Sequence, residues 1–226
     1  MTRPPTRAAV CVAAAAVVVY VVMWVGYRHG WSWLHRFDWS LLNAAHDVGV
    51  MHPVWVRLWN GVSFALGPVP LRLLGTVAAV AALVQRNVRA TLVLLACAPL
   101  SGLVTMAAKA LANRPRPSTM LVPTPSTSFP SGHALEATAA VLALLSFLLP
   151  MLSRSPGRVA IALAALSVLS VGVSRVALNV HYPSDVLAGW SLGYLYFLLC
   201  LLVFRPAPGA PAEEAPVVTA KLPNRI

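Results

Sequence analysis

Stretches of about twenty apolar residues recur along this chain, each the length needed to cross the hydrocarbon core of a bilayer. Hydrophobic residues make up 58% of the 226, and charged residues only 10%. A soluble domain carries about 25% charged residues, so this chain lacks the polar cover to face water. Six spans are expected: Ala8–Tyr27, Pro68–Val84, Ala90–Ala112, Ala134–Leu149, Val159–Leu178 and Val186–Phe204. The predicted fold is therefore all-α, a polytopic membrane protein built as a six-transmembrane-helix bundle over residues 8–204. The first run follows Arg3 and Arg7, as a signal peptide would, but it is long for such a segment. It leads into Arg28, His29 and Trp31 rather than a small-residue cleavage site, so it reads as a retained span.

The segments outside the spans differ in kind. Residues 28–60 hold five of the seven tryptophans, four histidines and two aspartates. Tryptophan favours the membrane–water interface, and an interfacial segment with amphipathic helices near Trp39–Val48 and Val54–Ala65 is expected. Residues 205–226 are rich in proline and alanine without an apolar period, the composition of a disordered tail. The three cysteines, Cys11, Cys97 and Cys200, lie inside apolar runs without metal-ligand spacing and read as packing residues. The formal charge of +11 raises nucleic acid as a partner, but the basic residues are scattered over short connections instead of forming one stripe. No nucleic acid is expected; membrane lipids are. Fifteen arginines to two lysines, with abundant alanine, point to a GC-rich bacterial genome.

Three short segments hold nearly all the chemistry. Lys109 to Pro117 reads K-A-L-A-N-R-P-R-P, then comes Pro130-Ser131-Gly132-His133, and Ser174 to Asp185 reads S-R-V-A-L-N-V-H-Y-P-S-D. They supply cations, two histidines and a carboxylate, the inventory for holding a phosphate and passing it through a histidine. Arg116 and Arg175 can each offer two parallel donors to phosphate oxygens, and Lys109 adds a third charge. Gly132 lets the backbone approach an oxyanion, the N–H groups at a helix start attract phosphate, and Ser131 can donate its hydroxyl. His181 is placed to attack phosphorus as a neutral imidazole. Asp185, four residues on, would fix its tautomer, and Pro183 suits the first turn of the last span. His133 would protonate the leaving oxygen and then activate water. Two residues are left with open roles. Glu136, one turn beyond His133, either tunes that histidine from behind or is a satisfied polar residue near a helix start. Arg114, which like Glu136 is a candidate to support the site from behind, either touches substrate or faces the headgroups.

K-x6-R-P, P-S-G-H and S-R-x5-H-x3-D, in this order, resemble the three signature motifs of the type 2 phosphatidic acid phosphatase superfamily. Every defining position matches. The resemblance implies a lipid phosphatase that works through a phosphohistidine, with the roles given above. Its substrate would be a lipid phosphate or diphosphate of the phosphatidic acid, phosphatidylglycerol phosphate or polyprenyl diphosphate type. Two alternatives stand beside it: a haloperoxidase-like vanadate site, found in soluble members of the superfamily, and a non-catalytic phosphate- or lipid-binding membrane protein. Only six acidic residues occur, and no cluster of them accompanies the motifs, so neither a metal nor another cofactor is expected. His35, Asp38, His46, Asp47 and His52 read as interfacial polar residues rather than ligands. The oligomeric state is open.

Helix parity tests the motifs independently. Lys109 and Arg116 leave the third span, His133 enters the fourth, Arg175 leaves the fifth, and His181 and Asp185 enter the sixth. With alternating spans, all fall on one side of the membrane. Arg3, Arg7, Arg86, Arg89, Arg154, Arg158, Arg205, Lys221 and Arg225 fall on the other. The positive-inside tendency makes that other side, and residues 1–7, cytoplasmic. The expected location is a bacterial inner membrane with an extracytoplasmic site.

Overall fold

The computed structural model describes residues 7–205. The expected disordered tail beyond them and most of the N-terminal tail lie outside the described residues. Among the described residues nine α-helices follow one another: α1 (Arg7–Arg28), α2 (Ser32–Met51), α3 (Pro53–Ala65), α4 (Pro68–Val84), α5 (Val88–Cys97), α6 (Ser101–Ala112), α7 (Gly132–Leu148), α8 (Arg154–Ala177) and α9 (Pro183–Val203). No strand occurs among the described residues. Among the described residues six helical stretches are long and apolar enough to cross a membrane, which makes this an integral membrane protein.

One expected span is broken and another, Pro68–Val84, is extended by a helix expected to lie in the interface. The third crossing is α5 followed by α6, interrupted at Ala98–Leu100. Pro99 lacks an N–H and its ring collides with the preceding turn, so the helix cannot run through. The second crossing continues backward from Pro68 through a break at Leu66–Gly67 into α3. A Cβ on Gly67 would stand 2.2 Å from the carbonyl oxygen of Ser63, so only glycine fits the bend.

The middle of the bundle is α7, composed almost wholly of alanine, leucine and other strong helix formers and buried on most of its faces. It packs on α9 at backbone distance. A Cβ on Gly189 would lie 2.6 Å from the carbonyl oxygen of Ser131, and one on Gly193 would lie 2.4 Å from that of Leu135. The G-x-x-x-G of the last span thus acts as a packing seam, as its small residues imply. Because Ser131 is itself part of that seam, the contact sets the start of α9 beside the start of α7.

The tryptophan-rich segment also departs from expectation. Residues 32–51 form one long helix, and Leu34, Asp38 and Leu42 on its inner face are buried. Asn179 donates from Nδ2 to the Leu42 carbonyl (3.1 Å), and Trp55 from Nε1 to the Ala177 carbonyl (3.2 Å). Helices α2 and α3 therefore brace the end of α8 and the start of α9.

Candidate active site

Two asparagines aim the motif residues. Asn113 ends α6 with φ of 45°, and Asn179 follows α8 with φ of 55°. Asparagine tolerates this left-handed conformation better than other side-chain-bearing residues. The first reverses the chain after Lys109 so that Arg114 and Arg116 turn back toward the bundle. The second, held by Thr119 Oγ1 (2.7 Å), directs His181 inward, where it is only 2% exposed.

The three motifs converge on one cavity of about 290 Å3, whose walls include Lys109, Arg116, His133, Arg175 and His181. Gly132 sits between Thr105 and Lys109, where a side chain would collide with the Thr105 methyl at 2.7 Å. Ser131 occupies the N-cap position of α7 with extended backbone angles, yet its hydroxyl makes no capping bond. Its N–H instead donates to the Asp185 carbonyl (2.9 Å). Arg175 donates from Nη1 to Ser63 Oγ (2.6 Å), a tether supplied by α3. Among the described residues four buried side-chain polar atoms have no protein partner, Trp59 Nε1 and three on the motifs: Ser131 Oγ, Arg175 Nε and His181 Nδ1. Buried polar groups are nearly always bonded, so orphans on the motif residues mark a place for a polar ligand.

Lys109 and Arg116 point at the loop between α6 and α7. Lys109 Nζ donates to the Thr127 carbonyl, and Arg116 donates to the Ser126 carbonyl from Nε (2.5 Å) and to Ser126 Oγ from Nη2 (3.0 Å). Arg116 Nη1 also lies 3.1 Å from His181 Nε2. A guanidinium can only donate, so Nε2 carries a lone pair and the neutral ring keeps its proton on Nδ1. Burial, then the charges of Arg175, Arg116 and Lys109, push the His181 pKa well below the usual histidine value. His181 is thus a neutral imidazole at neutral pH, with its Nε2 lone pair on the cavity side, facing Arg116.

Asp185 is more heavily engaged than a simple histidine partner. His181 Nδ1 lies 3.5 Å from Asp185 Oδ2, beyond ordinary hydrogen-bond length. That oxygen already accepts from Ser128 Oγ and from the Tyr182 N–H (2.9 Å), while Oδ1 accepts from Arg114 Nη1 (2.6 Å). Arg114 neither reaches the cavity nor faces headgroups. It is buried, donates from Nη2 to Asp38 Oδ2 (2.8 Å) and from Nη1 to Ser184 Oγ (2.8 Å), and stacks on the Tyr182 ring at 3.8 Å. Burial works against its charge, but Asp185 and Asp38 outweigh it and raise the pKa further. Asp38 corrects the interfacial expectation: it is 1% exposed and binds Arg114, the Ser184 N–H (2.9 Å) and the Ser184 hydroxyl (2.6 Å). Sequence reading missed Asp38, Ser63, Ser128 and Ser184. A faint signal existed for Asp38, which lies between Leu34 and Leu42 at four-residue spacing on one helix face.

Glu136 is buried and lines the same cavity. Its Oε2 binds Arg72 at 2.5 Å and its Oε1 accepts from Thr105 Oγ1 at 3.2 Å. Arg72, from α4, bends its guanidinium onto this carboxylate.

A family model described as the PAP2 superfamily matches residues 90–208, which contain all three motifs. The chain belongs to the PAP2 superfamily. Among curated proteins it resembles phosphatidylglycerophosphatase B of Bacillus subtilis strain 168, 46% identical over 82 residues. That match covers 35% of this chain and 40% of the relative, less than half of its length. A longer match is to decaprenylphosphoryl-5-phosphoribose phosphatase of Mycobacterium tuberculosis strain ATCC 25618 / H37Rv. It is 36% identical over 167 residues, 70% of this chain and 85% of that protein. The fold is similar to the crystal structure of a transmembrane PAP2-type phosphatidylglycerolphosphate phosphatase from Bacillus subtilis. The TM-score is 0.73 at 26% identity, over 83% of this chain and 93% of that one.

Proposed function

We propose that this PAP2 protein is a membrane-bound lipid phosphatase that removes a phosphate through a phosphohistidine formed on His181. The observation that carries the reading is one cationic cavity lined by Lys109, Arg116, Arg175 with its unpartnered buried Nε, and His181 with its Nε2 lone pair. Binding of phosphate by Lys109, Arg116 and Arg175 neutralises the equatorial oxygens, the main requirement of phosphoryl transfer. Arg116 shifts from Nε2 to the phosphate, freeing that nitrogen to attack phosphorus. The P–O bond to the lipid breaks as the P–N bond forms, and His133 gives its proton to the departing oxygen. Water, deprotonated by His133, then cleaves the P–N bond and releases inorganic phosphate. Asp185, held by Arg114, stabilises the positive charge that His181 acquires.

The named relatives act on lipid-borne phosphates, which supports a substrate of that class. No metal enters the scheme. The carboxylates nearest the motifs, Asp185, Asp38 and Glu136, are each already bound to an arginine. Phosphate release from dispersed lipid phosphates by the purified protein in detergent should therefore proceed undiminished with excess EDTA. Complete inhibition by EDTA, restored by a divalent cation, would overturn the metal-free scheme.

The site faces the extracytoplasmic side in this reading, on the loop-charge bias. In a background with Cys11, Cys97 and Cys200 changed to alanine, Thr124→Cys should react in intact cells with a membrane-impermeant thiol reagent. Gln85→Cys should not, because one further crossing separates the two positions. Gln85 is preferred to Asn87, whose side chain caps α5 through the Ala90 N–H (3.0 Å). Labelling at Gln85→Cys alone would place the catalytic face in the cytoplasm.

A further inference from the structure

Beyond His133 the cavity wall changes character. Glu136 lies three residues further along α7, about 4.5 Å deeper at 1.5 Å per residue and on the same helix face. Ideal Cβ geometry at Gly132 puts Glu136 Oε1 at 3.8 Å and Lys109 Cε at 3.7 Å from one point, so the carboxylate adjoins the phosphate cradle. Thr105 from α6 and Arg72 from α4 fix it from the far side. The Arg72 side chain is 41% exposed and that of Glu136 8%, so the pair runs from the cavity wall to the outer surface of the bundle. In-line transfer puts the leaving group opposite His181, on the His133 side, which sends it past Glu136.

A buried carboxylate beside a phosphate cradle opposes any further anion there, yet it is a strong acceptor for hydroxyl groups. We infer that Glu136, positioned by Arg72 and Thr105, is a specificity subsite that accepts hydrogen bonds from hydroxyls on a polyol or sugar joining the scissile phosphate to the lipid. The inference rests on the phosphatase reading above and narrows it. It favours monoesters of hydroxylated, lipid-linked alcohols over diphosphates, whose second phosphate would meet the carboxylate. It also favours them over lipids whose phosphate sits directly on the diacylglycerol. A hydrogen bond to a charged group contributes about 1.5–3 kcal/mol, or roughly 10- to 100-fold in selectivity.

The test is kcat/KM on three probes: phosphatidylglycerol phosphate, with a hydroxyl on its linker; phosphatidic acid, with none; and farnesyl diphosphate. Wild type should prefer the first. The isosteric Glu136→Gln should lower the ratio of the first to the second by about 10- to 100-fold. It should also raise the relative rate on the diphosphate, because the repelling charge is gone. Thr105→Val, which leaves the Arg72–Glu136 pair intact, should shift both ratios the same way by less. If the pair only pins α4 to α7, Glu136→Gln lowers thermal stability while the ratios stay fixed, and the subsite is wrong. A wild type that prefers the diphosphate overturns the subsite but leaves the phosphatase standing. Failure to release phosphate from any probe would remove both.

Discussion

Replacing His181 by alanine is expected to lower turnover of a lipid phosphate by at least about 10³-fold, the usual scale for removing a nucleophile. The fold should survive, because Asp185 does not depend on the imidazole: Arg114, Ser128 and the Tyr182 N–H retain it. The lost activity therefore reports chemistry rather than collapse, which thermal melting in detergent can confirm. A rapid alkaline quench with labelled substrate should leave acid-labile, base-stable phosphate on the wild-type chain and none on His181→Ala. Because the His181 pKa lies well below 6.5, the ring stays neutral as pH falls through that value. The kcat/KM profile, which reports the free enzyme, should then show no loss near pH 6.5 from protonation of this residue. Retention of a tenth of the wild-type rate, or label on a serine or aspartate, would overturn the assignment.

The spans and the motifs were legible for the same physical reason. Each crossing requires about twenty apolar residues, and against that background a lysine, two arginines and two histidines at fixed offsets stand out. Parity alone put them on one face. The breaks within the crossings were harder to read. Pro99 sits inside a run whose hydropathy continues unbroken on both sides, so composition gives a single span where geometry gives two helices, while α3, read as interfacial, joins α4 across Gly67 in one crossing. Glu136 could be placed one turn from His133, but its partners Arg72 and Thr105 come from two other helices. No local pattern announces such a pairing.

Asp38 was the largest omission. A carboxylate among tryptophans and histidines has the same composition whether its helix lies in the headgroups or against protein. The distinction depends on Ser184 and Arg114, 146 and 76 residues away in sequence. Arg114 was left with an open role for a related reason. In an R-P-R-P run either arginine can be the one turned outward, and the left-handed Asn113 decides that Arg114 goes into the bundle while Arg116 reaches the cavity.

Arg114→Ala should consequently act on stability before it acts on catalysis. Arg114 is bound to Asp38 and Asp185 at 2.8 and 2.6 Å, and both carboxylates are at most 1% exposed. Removing one partner of a buried ion pair costs about 3–5 kcal/mol, because the remaining charge is left uncompensated. Here two carboxylates lose their cation together, so a large fall in the detergent melting temperature is expected, with activity lost in parallel. Asp38→Asn should cost less, since Ser184 and the amide still offer partners to Arg114 while Asp185 keeps its ion pair. Combining the two changes should be less damaging than their sum, the signature of residues in one network. The opposite pattern, unchanged melting with a raised KM for every lipid phosphate, would mean that Arg114 leaves Asp38 and binds substrate in the working enzyme. Both outcomes are read from one variant by measuring melting and kinetics on the same preparation.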